Sequence, residues 1–129
     1  MRVFRLHGGV ALAKVLLVED DHRLLDATAA LLEYSGHAAI RAENGAEGLR
    51  LARLDKVDLI ITDYMMPVMD GLELASAVHS DPALNGIPVI VLSAVAFAPC
   101  DPAVRAFVRK PFVPGHLLGL VSEHALKRP

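Results

Sequence analysis

Val15-Leu-Leu-Val18 runs directly into Glu19-Asp-Asp21, and this junction of a short apolar run with an acidic cluster governs how the rest of the chain reads. Consecutive aliphatic residues without polar alternation suit a strand buried on both faces, as in a parallel sheet. Two further runs of this kind follow, Val57-Asp-Leu-Ile-Ile61 and Val89-Ile-Val-Leu92. Weaker strands fit at Ala38 to Arg41 and at about Val104 to Val108.

The intervening segments carry helical spacing. Leu24, Leu25, Thr28, Leu31 and Leu32 recur at helical intervals and stop at Gly36, a residue suited to the left-handed position past a helix end. Asn44 is placed to cap a second helix with Ala46, Leu49 and Ala52 on one side. Asp70 and Gly71 open a third, with Leu72, Ala75 and Val78 inward and Ser80-Asp81-Pro82 as its breaker. The last runs from Val113 to about Lys127, with Leu117, Leu120, Val121 and Leu126 as its inner face. Alternating strands and helices predict an α/β fold with a doubly wound, five-stranded parallel sheet. Residues 14–127 read as one domain and residues 1–13 as an N-terminal extension to which no function is assigned.

Composition narrows the function classes. The chain has 129 residues, 53% of them hydrophobic, enough for a core that needs neither disulfides nor metal for stability. Lys plus Arg number 13 against 15 Asp plus Glu, a net charge of −2, so no basic field exists to neutralise nucleic-acid phosphates. Direct DNA or RNA binding is not expected on that ground. A single cysteine, Cys100, cannot form an internal disulfide, and no apolar stretch has the length of a signal peptide or membrane span. A cytoplasmic protein is expected.

Each strong strand ends in a polar group: Val18 in Glu19-Asp20-Asp21, Ile61 in Thr62-Asp63, Leu92 in Ser93. Val108 precedes Arg109 and Lys110. Ligands of open parallel sheets bind outside the carboxyl ends of the strands, so these groups converge on one edge. Any one of them alone is better read as a cap or a surface charge. Together, Asp20 and Asp63 would raise each other's pKa unless a cation joined them. Oxygen-only ligands select Mg²⁺ or a similar ion over zinc, and His7, His22, His37, His79, His116 and His124 show no ligand spacing. A cation beside a carboxylate, a lysine and a hydroxyl equips Asp63 to attack a phosphorus atom and become an aspartyl phosphate. Ser93 could then hydrogen-bond a phosphoryl oxygen. The sequence contains neither G-x-x-x-x-G-K-[ST] nor G-x-G-x-x-G, which removes a P-loop or dinucleotide site.

At this point the chain resembles the response regulator receiver domains of bacterial two-component signalling, and within them the chemotaxis response regulator. Lys14-Val-Leu-Leu-Val-Glu-Asp-Asp21 resembles the family's first strand and acidic cluster. Asp63-Tyr-Met-Met-Pro-Val-Met-Asp-Gly71 resembles its phosphoacceptor loop, Pro88-Val-Ile-Val-Leu-Ser-Ala94 its fourth strand, and Lys110-Pro-Phe112 its last signature. The resemblance covers about residues 14 to 127 and implies a flavodoxin-like receiver fold. It implies Asp63 as phosphorylation site, with Lys110 contacting the phosphoryl group and Ser93 in the switch position. Mg²⁺ would be held by Asp20, Asp63 and the backbone carbonyl of Met65, with Glu19 acting through water. Asp21 receives no role, because its neighbours fill the two matched positions. Phe107 takes the switch aromatic position, although core packing is the plain alternative. A cis Lys110-Pro111 bond is implied as well.

One departure stands out. Only 16 residues separate Ser93 from Lys110, and Pro99 and Pro102 lie among them. Proline in a helix interior costs about 3 kcal/mol, so Ala94 to Ala103 is expected as an irregular loop or single turn. The fourth crossover helix would then be shortened or missing, which puts the family's usual output surface in question. Met65 and Val95, two residues past the acceptor and the switch hydroxyl, have no polar side chain to orient an attacking water, which predicts slow self-dephosphorylation.

The leading functional expectation is a signalling module that takes a phosphoryl group from a histidine kinase or histidine phosphotransfer protein and switches a surface toward an unknown downstream protein. It would not be an enzyme beyond catalysing its own phosphorylation and dephosphorylation. No output domain follows the last helix, so the chain is either a freestanding adaptor or phosphate sink or a domain cut from a longer protein. The alternative is a pseudo-receiver, an interaction domain acting without phosphorylation. A phosphatase is a third class, disfavoured because Met65 stands where a second acid is needed.

Overall fold

The computed structural model describes residues 12–96 and 100–125. Five strands, β1 (Lys14–Val18), β2 (Ala38–Ala42), β3 (Leu59–Asp63), β4 (Val89–Ser93) and β5 (Ala106–Arg109), form one parallel sheet in the order β2-β1-β3-β4-β5. Four helices, α1 (His22–Tyr34), α2 (Gly45–Leu54), α3 (Gly71–Ser80) and α4 (Pro114–Ala125), cover its two faces. This is the flavodoxin-like receiver fold.

The all-apolar strands are explained by burial on both sides. Successive strand side chains point to opposite faces, so Val15 and Leu17 join α1 and α4 through Leu25, Ala29, Leu32, Leu117 and Val121. Leu16 and Val18 face the other way and pack with Ala52 of α2 and with Leu74, Ala75 and Val78 of α3. Packing starts just before β1, where Ala13 is fully buried and its carbonyl accepts from Ala38 N–H at 2.8 Å.

Several expectations are adjusted by this packing. Leu24 is 44% exposed, because Leu25, Ala29 and Leu32 form the buried stripe and Leu24 falls beside it. Ala46 is exposed at the start of α2, and in α3 the inner face includes Leu74, with Leu72 only half-buried. Val57 and Asp58 are buried but precede β3; Asp58 Oδ2 accepts from Lys14 N–H at 2.8 Å, a capping contact at the sheet edge. The last strand is Ala106–Arg109, two residues later than expected at its start, because Asp101 nucleates a turn through Ala103 N–H and Val104 N–H. Leu126 and Lys127 of the final helix, Pro99 of the crossover and residues 1–11 of the N-terminal extension lie outside the described residues. Between β4 and β5 the described residues 94–96 and 100–105 hold bends and a turn and no helix, as the two prolines predict.

Candidate functional site

The carboxyl ends of β1, β3, β4 and β5 meet at one edge of the sheet, and each delivers its terminal polar residue there. Glu19 follows β1 and Asp63 ends β3, both 8% exposed; Ser93 ends β4 at 4%. Lys110 follows β5, where its backbone N–H donates to Ser93 O at 2.8 Å. The Lys110-Pro111 bond is cis, as the resemblance implies.

The Lys110 ammonium sits between two carboxylates. It ion-pairs with Asp63 Oδ1 and, at 3.0 Å, with Glu19 Oε1. Burial by itself would depress the Lys110 pKa, but hydrogen bonds to Asp63 and Glu19 outweigh it and hold the ammonium above its ordinary value. Glu19 is pushed up, first by burial and also by the Asp63 charge, against the hydrogen bonds from Lys110 and from Asp21 N–H. Carboxylate oxygens of Glu19, Asp20 and Asp63 lie within 4.8 Å of one another, with Asp20 exposed at the mouth. Three carboxylates against one ammonium leave an excess of negative charge in a partly buried place. The donor set is oxygen only, which fits a hard divalent cation such as Mg²⁺.

Neighbouring residues shape this arrangement. Asp21 is the N-cap of α1, its Oδ1 accepting from Arg23 N–H and Leu24 N–H at 3.0 and 3.3 Å, so the third acid of the run turns away from the cluster. His22 lies on the first turn of α1 and pairs with Glu43 Oε1 at 2.8 Å. Ser93 Oγ accepts from Val95 N–H at 3.1 Å, leaving its hydroxyl proton for another acceptor. The Met65 side chain is 63% exposed in the loop after β3, and Phe107 is half-buried against the face that carries α2 and α3. Gly71 is demanded by close approach: a Cβ there would meet Asp63 O at 2.4 Å. Its N–H donates to Tyr64 O at 2.8 Å, tying the start of α3 to the end of β3.

Sequence reasoning brought Glu19, Asp20, Asp63, Ser93 and Lys110 to one edge, and the structure does the same. It missed the direct Glu19–Lys110 contact, which spans 91 residues of sequence and leaves no local pattern. It also missed a strained turn at Val68, where φ is 70° and Met69 N–H donates to Pro67 O at 2.8 Å. That is a γ-turn of the rare, strained kind.

A parallel sheet of this order, with an acidic triad and a lysine at its carboxyl edge, defines a receiver-type architecture. The sequence profile of the response regulator receiver domain matches residues 15–122, and the chain belongs to that family. It is 36% identical over 102 residues to the polar-differentiation response regulator DivK of Brucella anthropi, a match covering 75% of this chain and 83% of that one. It is 39% identical over 104 residues to the transcriptional regulatory protein GlrR of Escherichia coli K12, covering 77% of this chain but only 23% of that protein. Among solved structures it is similar to the response regulator TrrA of Thermotoga maritima in complex with Mg²⁺ and BeF. The TM-score there is 0.79 at 27% identity, over 87% of this chain and 98% of that one.

Proposed function

We propose that this chain is a phosphoacceptor of a two-component phosphorelay, with Asp63 as the residue modified. The observation that carries the reading is the Asp63 carboxylate, held against the Lys110 ammonium and within reach of Glu19 and Asp20. An Asp63 oxygen attacks the donor's phosphorus; the phosphorus–nitrogen bond of a phosphohistidine, or the phosphorus–oxygen bond of an acyl phosphate, breaks. The leaving group departs with that electron pair, and an acyl phosphate remains on Asp63.

Lys110 stays protonated through its two carboxylate partners and offers its charge to the transferred group's oxygens. Ser93 donates its hydroxyl proton to a phosphoryl oxygen, and Phe107 reports the change toward the partner face. Asp20, Asp63 and the Met65 carbonyl would hold Mg²⁺, with Glu19 acting through water. When bound, such an ion neutralises negative charge on the phosphoryl oxygens. Glu19 has a second task in this reading, because its contact with Lys110 fixes the ammonium beside Asp63.

The donor is a histidine kinase or histidine phosphotransfer protein and the output an unidentified downstream protein, with nucleic acid and membrane not contacted directly. Among the described residues no helix is long and apolar enough to cross a membrane. Residues 14–127 are the functional unit, working in the cytoplasm on its own phosphorylation state and turning over no external substrate. Phosphate uptake on Asp63, followed by intact mass with Mg²⁺ and a small acyl phosphate, tests the reading; an Asp63→Asn variant should take up none. The crossover, which holds no helix among the described residues, favours a second reading, a pseudo-receiver that binds partners unphosphorylated. A folded sample with no uptake would select it.

A further inference from the structure

At the amino end of the sheet, away from the acidic edge, a cavity of ≈ 110 Å³ opens between the end of α3, the loop that leads into β4 and the segment that leads into β5. The course of the crossover shapes it. Residues 100–105 form no helix; Asp101 holds a tight turn instead, its Oδ1 accepting from Ala103 N–H at 2.8 Å and its carbonyl from Val104 N–H at 3.0 Å. That turn presents Pro102 and Ala103 as one wall. Val89 lines the cavity and Ser93 ends the same strand, about 13 Å further on at the usual rise per residue.

Three polar side chains reach the cavity, each from a different element: His79 from the last turn of α3, Asn85 from the loop before β4, and Arg105 from just before β5. Among the described residues no acid lines it, and none of these three side chains makes a hydrogen bond or an ion pair. Elsewhere Lys14 is taken by Asp55 at 3.0 Å and Arg53 by Asp81 at 3.2 Å. The acids that flank the cavity in sequence are engaged as well, Asp81 with Arg53 and Ala83 N–H, Asp101 with its own turn. Arg105 is anchored through its backbone, whose N–H donates to Val89 O at 2.8 Å, so the root of the guanidinium is fixed beside β4.

A guanidinium, an imidazole N–H and a carboxamide NH₂ are all donors, which selects an oxyanion as the complementary ligand. Size narrows the choice, because the volume is that of about four waters and lies well below that of sites for drug-sized molecules. Disposition narrows it again. Donors on three walls serve oxygens pointing in three directions, as a tetrahedral anion offers and a planar carboxylate does not.

We infer that this cavity binds a phosphate group, either the free ion or the monoester end of a small molecule whose remainder stays in solvent. Arg105 is the charged anchor, and His79 and Asn85 donate to the remaining oxygens. The site is separate from Asp63, at the opposite end of β4, and requires no metal.

The test uses the full chain, labelled for amide NMR, with Mg²⁺ withheld. Inorganic phosphate, glycerol 3-phosphate and acetate are titrated separately at fixed pH and ionic strength. Phosphate is expected to shift the amides of His79, Asn85 and Arg105 saturably, with a Kd on the order of 1 mM, and acetate to bind at least about fivefold more weakly. Arg105→Gln should weaken phosphate binding by about tenfold or more, the worth of a charge-assisted hydrogen bond. Arg105→Lys should recover part of that loss, since the charge stays while the planar fork goes. Glycerol 3-phosphate binding as tightly as phosphate would assign a monoester ligand, and binding of phosphate alone would assign the free ion; both support the site.

Shifts that do not saturate, equal binding of acetate, or undiminished binding by Arg105→Gln would overturn the inference. Asp63→Asn should bind phosphate as the parent chain does. Loss of binding in that variant, or shifts centred on Ser93 and Lys110, would place the anion at the acidic edge and overturn the inference too.

Discussion

Val68 shows most plainly what a single residue contributes. Its side chain is wholly exposed and its backbone is left-handed, so glycine at this position loses no packing and relieves the steric cost. Val68→Gly should raise the unfolding free energy by about 0.5–1 kcal/mol in urea melts, net of glycine's greater freedom in the unfolded chain. No gain would mean that the turn is not strained. Met65, 63% exposed two residues past Asp63, carries no group that could orient water. Met65→Asn should therefore shorten the lifetime of the phosphorylated form by a few-fold at least, measured as loss of the phosphorylated mass with time. An unchanged half-life would remove the role given to this position.

At the scale of the element, caps and close approaches decide where helices start. Asp70 and Glu73 form a reciprocal capping box at the head of α3, with Glu73 N–H to Asp70 Oδ1 at 2.8 Å and Asp70 N–H to Glu73 Oε1 at 3.0 Å. Asp70→Ala should cost about 1 kcal/mol of stability in a denaturant melt, with Asp63 still able to accept phosphate. A loss below a few tenths of a kcal/mol would show that Gly71 alone sets the boundary. The cap at Asn44 was legible in the sequence, and its Oδ1 accepts from Glu47 N–H at 2.8 Å; at α3 only the opening at Asp70 and Gly71 was legible, not the box that Glu73 completes. The candidate site was legible for a related reason: acids and hydroxyls stand out at the ends of apolar strands. Contacts that join distant segments were not legible. Nothing near Glu19 announces Lys110, and nothing near Asp63 explains why position 71 tolerates no Cβ. The exposure of Leu24 was equally hidden, since only the direction of α1 across the sheet selects Leu25 over it.

Across the whole molecule, two helices cover each face of the sheet, α1 and α4 on one and α2 and α3 on the other, and the crossover from β4 to β5 adds no helix among the described residues. Phe107, Val104 and Ala103 are only half-buried on the α2 and α3 side. The described part of the crossover thus adds no helix to that face, while Glu19, Asp20, Asp63, Ser93 and Lys110 all stand at the carboxyl edge. Stability of the whole fold should also carry an acid signature. His37 is buried, its Nδ1 has no hydrogen-bond partner among the described residues, and burial holds its pKa below the ordinary 6.5. Below about pH 6.5 the unfolded chain takes up a proton that the folded chain refuses, so stability falls as pH drops. The raised pKa of Glu19 acts in the opposite sense, since a folded state that binds the proton more readily gains stability as pH falls. The comparison that isolates His37 is His37→Gln, whose urea midpoint should fall less than that of the parent between pH 7.5 and 5.5. Parallel slopes would assign the acid sensitivity elsewhere.

The central claim, that Asp63 accepts a phosphoryl group beside Lys110 and a divalent cation, is tested most directly by intact mass. The full chain is incubated with acetyl phosphate, with and without Mg²⁺, next to Asp63→Asn, and beryllium fluoride binding is followed in parallel to catch a short-lived adduct. The account predicts one phosphoryl adduct, dependent on Mg²⁺ and absent from the variant. A folded protein that shows neither adduct nor fluoride binding, or an adduct that persists in Asp63→Asn, would contradict it.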